Sequence, residues 1–151
     1  MALRASRTFQ MQRAGMAYVI KTEIAELRQN AFKFTAQKTM YGGRNIARGD
    51  VLFLFASENE GGKGLVARGV VTSAEATARR QGSERQTPRV SIAVETIASA
   101  KRPLGRTELK AFSDWEDGRP ETELNFKFYR QATNKIGGVS QAAEAFLNTF
   151  F

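Results

Sequence analysis

The chain has 151 residues, 42% hydrophobic and 25% charged, with 23 Lys plus Arg against 15 Asp plus Glu and a net charge of +8. That length supports one domain with its own core, without staples. The absence of both Cys and His excludes zinc fingers, thiolate nucleophiles, Ser-His-Asp triads and His-ligated metals, so no metal or cofactor is called for.

The first fifteen residues carry Arg4, Arg7 and Arg13, no acid and no apolar core. They read as a basic flexible tail rather than a secretory signal, with Met16 opening the folded domain over 16–151. Ala17–Thr22 reads as a strand. Ile24, Leu27, Ala31 and Phe32 follow at helical spacing, which predicts a short amphipathic helix that Thr22 would cap. Residues 33–48 read as irregular, with Gly42-Gly43 as a turn before Arg44 and Asn45 and beside Tyr41.

Residues 49–71 (GDVLFLFASENEGGKGLVARGVV) predict a hairpin. Val51–Phe55 is an apolar run of strand length, Asn59–Gly64 supplies turn chemistry, and Leu65–Thr72 is a second β-rich run. Gly69 inside that run suggests a bulge. Residues 74–88 read as an exposed loop. Val90, Ile92 and Val94 alternate and predict a strand from Arg89 to Thr96. Further on, Thr107–Phe112 predicts a short helix, residues 114–122 a loop, and the alternating Leu124, Phe126 and Phe128 a last strand. Ser140 after Gly137-Gly138 is placed to cap a closing helix with Ala142, Ala143, Phe146, Leu147 and Phe150 on one face. The pattern is α+β.

Longest among apolar runs, Val51–Ala56 is far below the roughly 18 residues that a membrane helix needs, so no membrane partner is expected. Without cysteines and without a leader, the expected location is cytoplasmic. Charge is concentrated in residues 61–110, which carry +6 of the total. Arg79, Arg80, Arg85, Arg89, Lys101, Arg102, Arg106 and Lys110 form a stripe that attracts polyanions, nucleic acid first among them. A solvated basic loop accounts for the same residues equally well.

Several constellations suggest chemistry. Glu60-Gly61-Gly62-Lys63-Gly64 lacks the spacing and following helix of a phosphate loop. Asp114, Glu116 and Asp117 lack the alternation of a calcium loop and read as a solvated turn. Lys21, Thr22 and Glu58 fall at the ends of two strands that could be neighbours, where a desolvated lysine could activate a threonine hydroxyl; salt bridging is the plainer use. The single tryptophan, Trp115, lies in a polar loop, as a lid on the core or as a face for a planar ligand. Phe126 and Phe128 read as core, and Tyr129 and Arg130 as lining a groove.

With Lys21-Thr22-Glu23 closing a first strand, Tyr41, Arg44 and Asn45 in the stretch that follows, then Gly49-Asp50 and an apolar strand ending in Ser57, the chain resembles the EVE branch of the PUA-like superfamily. It is also similar to YTH and ASCH domains. The resemblance extends from about Tyr18 through NFKFYRQATNKIGGVS (125–140), with Ile24 where the family has Pro and Tyr41 where it has Trp. It implies a twisted β-barrel of about five to six strands with helices packed around it. It also implies a pocket for a modified nucleobase, for example a methylated one, presented by DNA or RNA. In that pocket Tyr41 and Trp115 would stack, Asn45, Ser57 and Thr22 would read the base edge, Lys21 and Arg44 would meet phosphates, and Tyr129 and Arg130 would line the groove. The resemblance to ASCH domains implies a rival from another class, a small hydrolase that deacylates modified nucleosides with Lys21, Thr22 and Glu58. Monomer and homodimer both stay open.

Overall fold

A computed structural model of the chain describes residues 17–24, 26–58, 63–78, 87–130 and 134–151. The expected tail over 1–15, the hairpin tip at 59–62 and the Arg79, Arg80 and Arg85 part of the basic stripe lie outside the described residues.

Six strands close into a mixed barrel in the order β1-β3-β4-β5-β2-β6. They are β1 (Ala17–Thr22), β2 (Ala31–Met40), β3 (Val51–Ala56), β4 (Gly64–Ala76), β5 (Arg89–Ser99) and β6 (Lys135–Val139). β1 runs parallel to β3 and β2 parallel to β6, and the other pairings are antiparallel. Among the described residues, three short α-helices accompany the barrel: α1 (Arg106–Leu109), α2 (Pro120–Asn125) and α3 (Gln141–Asn148). α2 runs directly into a π-helical turn, Phe126–Arg130. This is a PUA-like α+β barrel, as the sequence led one to expect.

Why β1 and β3 read as unbroken apolar runs follows from their place in the barrel. Tyr18, Ile20, Leu52 and Leu54 belong to a core to which all six strands contribute. Ala17, Val19, Phe53 and Phe55 point the other way, into a second core with Leu109, Leu124, Phe128 and Leu147 from the helices. Strands buried on both faces lose the usual alternation. The β3–β4 hairpin pairs Leu54 with Ala67, and the ladder between β4 and β5 shifts register at Arg68/Gly69, where the bulge was expected. Ser140 caps α3, its Oγ accepting from the Ala143 amide at 3.1 Å.

Three expectations need correction. Ala31 and Phe32 do not end a helix capped by Thr22 but open β2, which also takes up much of the stretch read as irregular. Phe32 and Phe34 point inward, then the strand bulges between Phe34 and Gln37, with Ala36 at φ 48°. The bulge breaks the period of two, so the second half of the strand carries no alternation to read. Next, β4 continues to Ala76 into the segment read as loop; Glu75 and Ala76 are exposed and held by the ladder to Ser91 and Val90.

Leu124, Phe126 and Phe128 lie on α2 and the π turn, not on a strand, and the helix starts at Pro120 within the segment read as loop. Proline at the first helical position sets the start. Leu124 and Phe128, four apart, share the buried face, while Phe126 turns toward Trp115. Gly137-Gly138, ahead of the Ser140 cap, form the middle of β6. A Cβ on Gly138 would lie 2.5 Å from the Tyr41 carbonyl oxygen, and one on Gly137 3.2 Å from the Phe128 ring. Close approach of neighbours, not a chain reversal, explains these glycines.

Candidate functional site

Lys21 follows Ala17 and Val19 on the helix-facing side of β1, at the strand's end. Thr22 and Ser57 close the parallel ladder there, the Ser57 amide donating to the Thr22 carbonyl at 2.8 Å. Glu58 follows at once. The π turn brings Tyr129 over this end of the barrel, edge-on to Phe55 at 6.5 Å between centroids. The Lys21 Nζ lies 4.0 Å from the Tyr129 ring centroid. The phenol of that ring donates to Glu58 Oε1 at 2.6 Å.

Glu58 is held from a second direction. The Arg106 amide at the start of α1 donates to Oε1 at 3.0 Å and to Oε2 at 3.2 Å. Gly105 lets the carboxylate come this close, since a Cβ there would meet Glu58 Oε1 at 2.8 Å. The Gly105 amide is itself accepted by Glu108 Oε1 at 2.7 Å. The result is a cluster of polar groups, here called the cleft, where the end of β1 and β3 meets the helical layer: an amine, two hydroxyls, a carboxylate and a phenol.

The electrostatics of the cleft are set by burial. Lys21 is only 2% exposed. Its amine is pulled down to about 8, by desolvation first and by the Arg106 charge second, against the pull of Glu58. Burial and the adjoining Glu58 carboxylate push the Tyr129 phenol up, so it stays a donor at any physiological pH.

The side-chain polar atoms of Lys21, Thr22 and Ser57 make no hydrogen bond with any described residue, and no sealed side-chain nitrogen or oxygen among the described residues lacks a partner. These atoms therefore keep some contact with solvent, the Lys21 amine doing so beside the Tyr129 ring. Such donors beside a fixed carboxylate suit a ligand edge that offers both acceptors and a donor.

The remaining candidates from the sequence are distributed elsewhere. Trp115, 40% exposed, packs edge-on against Phe126 at 5.4 Å. The Arg130 guanidinium lies 4.9 Å from the Trp115 centroid. Trp115 and Phe126 line a cavity of about 240 Å³ with Arg119, Glu123 and Lys127. Lys127 binds Glu123 at 3.0 Å and the Gly138 carbonyl at 2.9 Å, and lies 4.8 Å from the Tyr41 ring centroid. Arg44 and Asn45, on a 3-10 turn, line another cavity of about 470 Å³ with Thr87, Pro88 and Arg89.

Among the described residues, no hydrogen bond or ring contact joins Tyr41, Arg44, Asn45, Trp115 or Arg130 to Lys21, Ser57 or Tyr129. The structure thus gathers Lys21, Thr22, Ser57, Tyr129 and Glu58 into one cleft. It places the exposed aromatics and Arg44 with Asn45 on other surfaces. Sequence reasoning missed the part of Gly105, for which the only available signal is its spacing to Glu108, three residues on, at a helix start.

Among the described residues no group of acidic side chains could hold a metal ion, and no helix is long and apolar enough to cross a membrane.

The barrel and the helices around it give the chain the PUA-like fold that the resemblance implied. Solved structures bear this out. The human THYN1 protein in complex with DNA containing 5-methylcytosine superposes with a TM-score of 0.61 at 16% identity, over 89% of this chain and 96% of that one. The DUF55 domain of human thymocyte nuclear protein 1 gives 0.60 at 17% identity, over 88% and 96%. A hypothetical protein from Leishmania major gives 0.56 at 17% identity, over 88% and 92%. No family model matches the sequence, and none of the curated proteins matches it.

Proposed function

We propose that this domain is a nucleic-acid reader that takes one base, methylated or otherwise modified, into the cleft at the end of β1 and β3. The observation that carries this reading is the set of donors on Lys21, Thr22 and Ser57 that no described residue hydrogen-bonds, beside the fixed Glu58 carboxylate. A base edge supplies ring and carbonyl acceptors for the first and an exocyclic amine for the second. The likeness to a protein solved with 5-methylcytosine DNA and the net charge of +8 support it. Trp115 and Tyr41, exposed outside the cleft, are surfaces on which flanking bases stack, with Arg130 backing Trp115. Arg44 and Asn45, on their separate cavity, lie outside the base contact.

Fluorescence anisotropy with two short single-stranded DNAs, alike except for one 5-methylcytosine in place of cytosine, tests this. Glu58→Gln should abolish the preference between them. Trp115→Ala should weaken both by the worth of one stacked base, about 1–3 kcal/mol, and leave the preference. A preference that survives Glu58→Gln and is lost in Trp115→Ala would move the base pocket to the tryptophan cavity.

A second reading rests on the lowered pKa of Lys21. An amine that titrates at about 8 is neutral in part at physiological pH and can take a proton from a nucleophile. Beside Thr22 and Glu58 this suits deacylation of a modified nucleoside. Chromatography of acylated nucleosides incubated with the protein decides: turnover lost in Lys21→Ala favours the hydrolase, and no turnover by the wild-type protein removes it.

A further inference from the structure

The cleft has a neighbour whose charge is unspent. Arg28, Lys63, Val66, Lys101 and Arg102 line an open groove of about 330 Å³, and among the described residues its lining holds four cations and no acid. Backbone pairings tie the segments that line the groove to those that carry the cleft. The Leu65 amide donates to the Leu104 carbonyl at 2.8 Å, Gly64 bridges to Leu104, and Gly105 touches Glu58. The two walls that carry Lys63 and Lys101 therefore converge on the segment that fixes the cleft's carboxylate.

The cations differ in how they are held. Arg102 is fixed: its guanidinium donates to the Thr149 carbonyl at 2.8 Å and hydroxyl at 3.2 Å and lies 4.2 Å from the Phe150 ring centroid. The side chains of Arg28, Lys63 and Lys101 make no ion pair or hydrogen bond with any described residue. By contrast, Lys127 in the tryptophan cavity is neutralised by Glu123, and Arg89 in the Arg44 cavity is committed to the Ala36 carbonyl at 2.9 Å. Of the three cavities, this groove offers the most uncompensated positive charge.

We propose that the groove is the track for the phosphates of the strand that flanks the base held in the cleft, with Lys63 and Lys101 as its principal contacts. This rests on the reader function proposed above. Phosphate contacts position a strand and carry no base identity, so the groove sets affinity and salt dependence while the cleft sets preference.

The test measures binding of the methylated and unmethylated single-stranded DNAs across roughly 50 to 200 mM salt, in the wild-type protein and in Lys63→Gln/Lys101→Gln, both positions being exposed. Each single-strand phosphate contact contributes about 0.7 to the slope of log K against log salt, so the double variant should lose about 1.4. Across that fourfold salt range its affinity should fall about 7-fold less than that of the wild-type protein, with the preference for the methylated strand unchanged. Arg44→Gln/Arg48→Gln should leave the slope in place. An unchanged slope in the lysine variant with preference kept, or a slope lost only in the arginine variant, overturns the groove alone. A wild-type protein that binds neither strand overturns the groove and the reader function together.

Discussion

Lys21→Met separates what the buried lysine costs the fold from what it contributes to the site. Its amine titrates at about 8 in the folded protein against 10.5 unfolded. Below about pH 8 both states hold the proton and the whole desolvation cost stands. Between 8 and 10.5 the unfolded chain holds a proton that the folded chain has released, so stability rises with pH across that window. At about 1.4 kcal/mol per pH unit the cost is at most about 3 kcal/mol, reduced by water reaching the cleft. The contact with the Tyr129 ring returns roughly 1 kcal/mol of it.

Methionine fills the same space without charge. Lys21→Met should therefore be more stable than the wild-type protein at pH 7 by about 1–2 kcal/mol, a rise in Tm of roughly 2–8 °C. The gap should close by pH 10.5, and binding of the methylated strand should be lost throughout. Urea unfolding of both proteins at pH 7 and pH 10.5, read as the difference between them, cancels the other groups that titrate there. A variant less stable than wild type at pH 7, with a gap that does not change with pH, would refute the reasoning.

Two further substitutions probe the scaffold. Tyr129→Phe removes the phenol from Glu58 but leaves the Arg106 amide in place; urea midpoints should show a loss near 1.5 kcal/mol, the low end for a hydrogen bond to a charged group. Gly43→Ala would drive a Cβ to 2.1 Å from the Ile136 carbonyl oxygen in β6. With backbone on the other side there is no flexible group to yield, and a loss of about 3 kcal/mol or more is expected, read as a fall in Tm of at least about 6 °C.

The elements legible in the sequence are those whose side chains report their surroundings. β1 and β3 announce themselves as apolar because both faces are covered, and β5 alternates because only one face is. β2 and β6 were hidden for opposite reasons. A bulge at Ala36 shifts the phase of β2 halfway along, and β6 has too few side chains to show a period, because Tyr41 and Phe128 occupy the space beside its glycines. On α2 and the π turn, chance alternation of Leu124, Phe126 and Phe128 imitated a strand that Pro120 argues against.

The candidate site was legible where it lies on strand ends. Lys21, Thr22, Ser57 and Glu58 fall together because β1 and β3 are parallel neighbours, with Thr22 paired to Ala56. Tyr129 joins them only because the π turn rotates it toward Glu58, a geometry that no spacing encodes. The grouping of Tyr41, Arg44, Asn45 and Trp115 with them came from the resemblance; Arg44 and Asn45 instead line a cavity beside Pro88 and Arg89, and Trp115 one beside Glu123 and Lys127.

The measurement closest to the central claim is equilibrium binding of the wild-type protein to matched oligonucleotides, DNA and RNA, with and without one modified base, at low and high salt. The account predicts a preference for a modified strand that persists at high salt, since base-edge contacts in the cleft do not depend on counterion release. Salt-sensitive binding with no preference at either concentration would contradict it and leave only a basic surface.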